Sequence, residues 1–414
     1  MRVLWCGDSP RVSTGFARCT RAACDAMHAL GWHVDILGIN DHGDPGDYHS
    51  PVWPCRQPLD GGRDSFGVTR LPRLICRFKP DVVVLLNDPW NISEYLDYID
   101  GYAKQLVAMK REDEAARLRA TPIVAWLAVD GDNQDASALN RLAHVMTWTD
   151  YAAEQLALGG YGGACDVVPL GVDRRTFQKR DANEARSKVL PSRLPNGAFV
   201  VGAVGRNQPR KRLDLTLEYF AEWIGSRGVS DAYLYLHVAP TGDRGIDILR
   251  VAKYYGLAGR LIIAEQGVER GVGDDIMPLV YSSMDVYWTT TQGEGWGLPA
   301  LEAMACGTPV LAPRWSGLGD WADGAAYLVE CTGRAPTAPL NAGPYTIGGI
   351  ADRAETLAAL NFFYEPETRA DRRLTYENLG LDRAEKYDWQ LTGRCVTAVL
   401  ERVVASARVV EEVA

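Results

Sequence analysis

The chain has 414 residues, 47% of them hydrophobic and 23% charged, with a formal net charge of −9. That length exceeds one ordinary hydrophobic core and predicts two domains, and the composition excludes a disordered or fibrous chain. The acidity disfavours non-specific attraction to nucleic acid or to an anionic membrane, though it leaves room for a local basic face.

Nine cysteines are odd in number and scattered, with no C-x-x-C pair. They predict reduced thiols in a cytoplasmic protein rather than a disulfide framework or a zinc site. No apolar run approaches about 18 residues, so no membrane span is expected. The first residues read as a strand with no secretory h-region.

In chain order, residues 2–6 are an apolar strand, followed by a small-residue loop that ends at Gly15. A helix is predicted over 16–30, with Phe16, Thr20, Ala23, Met27 and Leu30 on one face. Ser13 or Thr14 suits its cap and Gly31 its end. Strand 34–39 follows. Strand, loop, helix, strand is the opening of a doubly wound parallel sheet, whose ligand crevice lies at the carboxyl ends of the strands. Gly15 then belongs to that crevice.

Residues 40–80 are irregular, and Arg56, Arg63, Arg70, Arg73, Arg77 and Lys79 outnumber the acids among 56–79, making the one notable basic run. Strands 81–86 and 123–129 are continuous apolar runs, as expected of strands buried on both faces. They end in Asn87-Asp88 and in Asp130-Gly131-Asp132. Shorter strands are predicted at 145–148 and 167–170. Residues 181–197 read as a linker.

After it the pattern restarts, with strand 199–205, a basic loop from Arg206 to Lys211 and an amphipathic helix over 213–224. Further strands are predicted at 233–238, 261–264, 286–289, 309–312 and 327–329. The segment from about 351 is helix-rich.

The stretch 289–310 carries the densest chemistry. Gly293, Gly295 and Gly297 allow backbone to approach a ligand. Pro299 suits a first helical position and Gly307 a helix end. A helix N-terminus there offers N–H groups to an anion. Glu294 and Glu302 would repel a phosphate and make better acceptors for hydroxyls. An anion beside several hydroxyls describes a sugar phosphate. Arg206 and Lys211, a fork and a point charge at a strand end, suit a diphosphate.

These residues resemble a known family. Glu294 and Glu302 in their Gly-Trp-Gly-Leu-Pro setting are similar to the donor motif of GT-B glycosyltransferases of family 4, the glycosyl transferases group 1. Gly205-Arg206 with Lys211 and Asp214 resembles that family's diphosphate motif, Gly171-Val172-Asp173 with Phe177 its strand-to-linker segment, and Gly15 its N-terminal glycine loop.

The resemblance implies two Rossmann-like, doubly wound α/β domains facing across a cleft. The acceptor domain would span 1–185, joined by a C-terminal helix at about 390–414, and the donor domain 186–389. It implies a nucleotide-sugar donor, UDP- or GDP-linked, no metal and transfer with retention. Arg206 and Lys211 would hold the diphosphate, the backbone of Gly295, Trp296, Gly297 and Leu298 would line phosphate and sugar, Glu294 would take sugar hydroxyls, and Glu302 the ribose.

Two departures stand out. Arg212 replaces the family's usual Gly, and Asp130 stands where many members have His. Asp130 is expected to accept a hydrogen bond from the acceptor hydroxyl or donor sugar. Asp130-Gly131-Asp132 also fits the D-x-D pattern of metal-dependent transferases, an alternative that a second cationic site makes redundant.

Residues 7–16 and 205–211 are similar to phage-encoded members. This leaves two acceptor classes open: a hydroxymethylated pyrimidine in DNA, with Arg70, Arg73 and Arg77 on its phosphates, or a small-molecule, lipid-linked or polysaccharide acceptor. A GT-B-like epimerase and a non-catalytic nucleotide-sugar binder are the rival functions.

Overall fold

The structure is a computed structural model and describes residues 1–41, 43, 47–55, 64–192, 194–242, 244–264, 272–338 and 345–413. It divides into two units: residues 1–129, 134–170 and 389–414, and residues 130–133 with 171–388.

The first unit is built on a seven-stranded sheet of β1 (Arg2–Asp8), β2 (His33–Ile39), β3 (Val52–Pro54), β4 (Val82–Asn87), β5 (Ile123–Leu127), β6 (His144–Thr147) and β7 (Cys165–Val167). The spatial order is β3-β2-β1-β4-β5-β6-β7, and every pairing is parallel. Its helices are α1 (Gly15–Ala29), α2 (Leu71–Phe78), α3 (Ile92–Ala108), α4 (Glu112–Ala120) and α5 (Asp150–Leu158).

The apolar runs become central strands, and all six residues of β4 are buried. Helix α1 starts where Thr14 accepts the Ala17 N–H, and Gly31 just beyond its end has φ 73°. The short β3 escaped prediction, and β7 lies earlier than the predicted 167–170. Three residues of mixed polarity carry little periodic signal.

The second unit repeats the plan. Its sheet has β8 (Phe199–Val204), β9 (Ala232–His237), β10 (Leu261–Ile263), β11 (Val286–Trp288), β12 (Val310–Pro313) and β13 (Tyr327–Val329), in the order β10-β9-β8-β11-β12-β13. An antiparallel hairpin, β14 (Cys331–Pro336) and β15 (Ile347–Ala351), is added to it. The helices are α6 (Ala182–Val189), α7 (Leu213–Arg227), α8 (Ile248–Tyr254), α9 (Met277–Ser282), α10 (Leu298–Ala305), α11 (Ser316–Trp321), α12 (Arg353–Tyr364) and α13 (Arg369–Ala384). The last helix, α14 (Trp389–Val413), groups with the first unit, where it packs on α1.

The boundary differs from the predicted 185/186. The chain changes unit at Leu170 and Gly171, and the supposed linker contains α6, which belongs to the second unit. One carboxylate explains this. Asp285 takes Arg186 of α6 at 2.6 Å, Arg373 of α13 at 3.1 Å and the Val200 N–H at 2.7 Å. A charged run looks like a linker in sequence, yet its arginine is an anchor.

Asp285→Ala strips both guanidiniums and one strand N–H of their acceptor. It should cost about 2–4 kcal/mol, read as a lower urea midpoint; an unchanged midpoint would show that α6 docks by other means.

Candidate functional site

In a doubly wound sheet the loops after the central pair of strands diverge, and ligands bind there. In the second unit that pair is β8 and β11. The loop after β8 carries Gly205 to Arg212, and the loop after β11 carries Thr289 to Gly297.

Backbone clips hold the two loops together. The Thr290 hydroxyl bonds the Arg212 carbonyl at 2.8 Å, and the Gln292 N–H donates to the Arg210 carbonyl at 2.7 Å. Lys211 and Arg210 are thereby brought onto Glu294. Lys211 Nζ pairs with Glu294 Oε1, and Arg210 Nη1 lies 3.1 Å from Oε2. Arg210 also donates to the Gly293 carbonyl at 2.7 Å and reaches Asp130 Oδ2 at 3.4 Å. Arg206 lines a small recess with Lys211, Gly205 and Thr290.

The charges are strongly coupled. Burial pushes the Glu294 carboxyl up, but Lys211 and Arg210 outweigh it and bring it from 4.5 down to about 2. Burial lowers the Lys211 ammonium, opposed by Glu294. Burial raises Asp130, opposed by Arg210 and reinforced by Glu294. Glu294 is therefore a fixed anion at neutral pH, whereas Asp130 is poised by its neighbours.

Beyond Glu294 the chain bends into α10. Ser316 takes the Glu294 N–H at 2.9 Å and donates back to its carbonyl at 3.1 Å. The N–H groups of Gly295, Trp296 and Gly297 meet no acceptor among the described residues. Lying at the helix start, they are donors of the kind that suit an anion. Gly297 has φ 91°, a conformation that favours glycine. Pro299 occupies the second helical position rather than the predicted first, and Gly307 has the positive φ expected after the helix.

Several expected site residues are placed differently from the sequence reading. The Trp296 indole stacks on Trp321 at 5.1 Å and meets the edge of Tyr387 at 5.0 Å, so only its backbone faces the loop. Glu302 is 3% exposed and accepts the Tyr281 hydroxyl at 2.7 Å. Arg212 has φ 49° and forks onto Asp214 at 2.8 and 3.0 Å, pointing away from Glu294. Asp130 follows β5 in sequence but groups with the second unit.

Gly15 is the first residue of α1, beside the Thr14–Asp8 hydrogen bond. The basic run is not one open row. Arg70 bonds the Pro54 carbonyl, Arg77 lies over Trp53 at 5.0 Å, and Arg73 is exposed. Arg56 and Arg63 lie outside the described residues. The sequence pattern gives Arg210 no role, although it is a third basic side chain in a loop suited to an anion.

Residues 198–337 match the family model Glycosyl transferases group 1. The chain is 29% identical over 283 residues to D-inositol 3-phosphate glycosyltransferase 2 of Catenulispora acidiphila, covering 67% of this chain and 60% of that relative. The match thus spans less than two thirds of the relative's length. Among solved structures, sucrose-phosphate synthase from Thermosynechococcus elongatus superposes with a TM-score of 0.70 at 18% identity, covering 98% of this chain and 100% of that one. Anabaena Alr3699/HepE in complex with UDP-glucose gives 0.65 at 16%, covering 97% and 100%. Together these findings support a GT-B glycosyltransferase. The two Rossmann-like units are the GT-B fold.

Asp130 pairs with a guanidinium, and no group of three or more His, Cys, Asp or Glu suited to a metal occurs among the described residues.

Because the Glu294 carboxyl is lowered on folding, it stabilises the fold above its unfolded value. That contribution fades as the pH falls from 4.5 toward 2. Glu294→Gln should destabilise the protein by on the order of 3 kcal/mol at pH 7, and the gap to the unmodified protein should narrow below pH 4.5 in chemical denaturation. A gap that keeps its size down to pH 2 would contradict the ion-pair assignment.

Proposed function

We propose that this protein is a retaining glycosyltransferase of family 4 that moves a sugar from a nucleotide diphosphate to an acceptor hydroxyl, with the donor held by the second unit and the acceptor by the first. The observation that carries it is the convergence, at the β8/β11 switch point, of Lys211 and Arg206, the open N–H edge of α10 and the buried Glu294. Cations and N–H groups suit the diphosphate, and the carboxylate suits sugar hydroxyls. UDP is the first nucleotide to test, because the Anabaena neighbour is titled as a UDP-glucose complex.

In this reading the diphosphate draws Lys211 from Glu294, and Lys211 with Arg206 stabilises the charge that grows on the leaving diphosphate. Positioning and this electrostatic term do most of the work. Glu302, which also accepts the Tyr281 hydroxyl, would take the ribose hydroxyls. A small polyol phosphate is the acceptor that the named relatives favour. Among the described residues of the basic run, a DNA acceptor would rest on the exposed Arg73, Arg77 and Lys79, since Arg70 bonds the Pro54 carbonyl.

Lys211→Ala should lower transfer from UDP-glucose about 100-fold or more, with the thermal midpoint followed alongside. Full activity in both Lys211→Ala and Glu294→Ala would end the reading, and conversion of UDP-glucose without any acceptor would redirect it to an epimerase. EDTA should leave the rate unchanged.

For the acceptor, product mass spectrometry with inositol phosphate is compared with binding of hydroxymethylated duplex DNA. Salt-dependent duplex binding abolished by charge reversal at Arg73 and Arg77 would establish the DNA acceptor; its absence at low salt would remove it.

A further inference from the structure

The segment Asp130–Asn133 is held against the start of β15 by backbone and side-chain hydrogen bonds. Asp132 and Ile347 exchange both hydrogen bonds, at 2.9 and 3.0 Å, and the Asn133 amide donates to the Tyr345 carbonyl at 2.9 Å. The fit is tight: a Cβ on Gly131 would come 2.5 Å from the Ile347 oxygen, and one on Gly293 would come 1.6 Å from the Asp130 oxygen. The β15 strand therefore lays the Asp130 backbone directly against the loop that carries Glu294. What remains to be aimed is the Asp130 side chain.

Arg210 is placed to aim it. One guanidinium spans Asp130 Oδ2 (3.4 Å), the Gly293 carbonyl (2.7 Å) and Glu294 Oε2 (3.1 Å). A planar fork can hold several acceptors in a set relation, which a lysine point charge cannot. Arg210 also solves a problem that donor binding creates. If Lys211 leaves Glu294 for a diphosphate, a buried carboxylate would be stranded, an arrangement that costs several kcal/mol. Arg210 stays with Glu294 and keeps it compensated. The charged groups facing Asp130 are Arg210, Glu294 and Lys211.

We propose that Arg210 is a positioning residue, which holds the Asp130 and Glu294 carboxylates in one fixed relation toward the reacting sugar and frees Lys211 to engage the diphosphate. This rests on the glycosyltransferase reading above. It adds a residue that acts through two others.

The test uses the full chain, as Arg210→Met and Arg210→Lys, each also in an Asp130→Asn background. In carboxyl ¹³C NMR, Arg210→Met should raise the titration midpoints of both Asp130 and Glu294 by about one unit or more, and Arg210→Lys should restore at most one of them. UDP-glucose turnover should fall about tenfold or more in Arg210→Met, but only about threefold or less when Asp130 is already Asn.

Unchanged titrations in Arg210→Met, or equal losses on both backgrounds, would overturn the inference. Failure of the wild-type protein to bind or turn over UDP-glucose would instead count against the glycosyltransferase reading, and the titrations would still decide whether Arg210 holds both carboxylates.

Discussion

The buried Glu294 carboxylate, clasped by Lys211 and Arg210, is the constraint around which the second unit's loops are arranged. An ion this buried is tolerable only if its partners are brought to it at fixed places. That demand explains the clips from Thr290 and Gln292 onto the backbone of residues 210–212, and the Ser316 hydroxyl that grips both ends of the Glu294 peptide. It explains the aromatic wedge too. Trp296, Trp321 and Tyr387 pack against one another at the turn, which fixes the Trp296 side chain.

The parts of this design that depend on local pattern were legible in the sequence. Buried parallel strands are continuous apolar runs, so β1, β4, β5 and β8 announced themselves, and the helix ends at Gly31 and Gly307 followed from the backbone freedom that glycine supplies. Lys211 and Glu294 were placed at one site because both follow strands of a single sheet.

The parts that depend on long-range pairing were not legible. Nothing local in Asp130–Asn133 says that it pairs with Ile347, more than two hundred residues on. The strands of the hairpin β14–β15 mix Gly, Ala, Pro, Thr, Cys, Arg and Ile, so neither is an apolar run. Arg186 looked like part of a linker because its partner, Asp285, is remote in sequence. Arg212 shows the converse: its left-handed backbone is what a glycine would adopt freely, and the arginine bears that conformation while forking onto Asp214.

The charge balance of the cluster links these observations to chemistry. Two carboxyls, Asp130 and Glu294, face two cationic side chains, Arg210 and Lys211. A histidine at position 130, usual in the family the sequence resembles, would have left Arg210 with one carboxylate fewer. Asp130 and Arg210 therefore make sense as a matched pair. On the proposed reading, cations already committed to carboxylates leave a diphosphate to draw on donors outside this cluster. Arg206 and the α10 N–H edge are so placed, and Lys211 becomes available because Arg210 can hold Glu294 without it. On the proposed reading, the site exchanges one anion partner of Lys211 for another while Arg210 keeps Glu294 compensated.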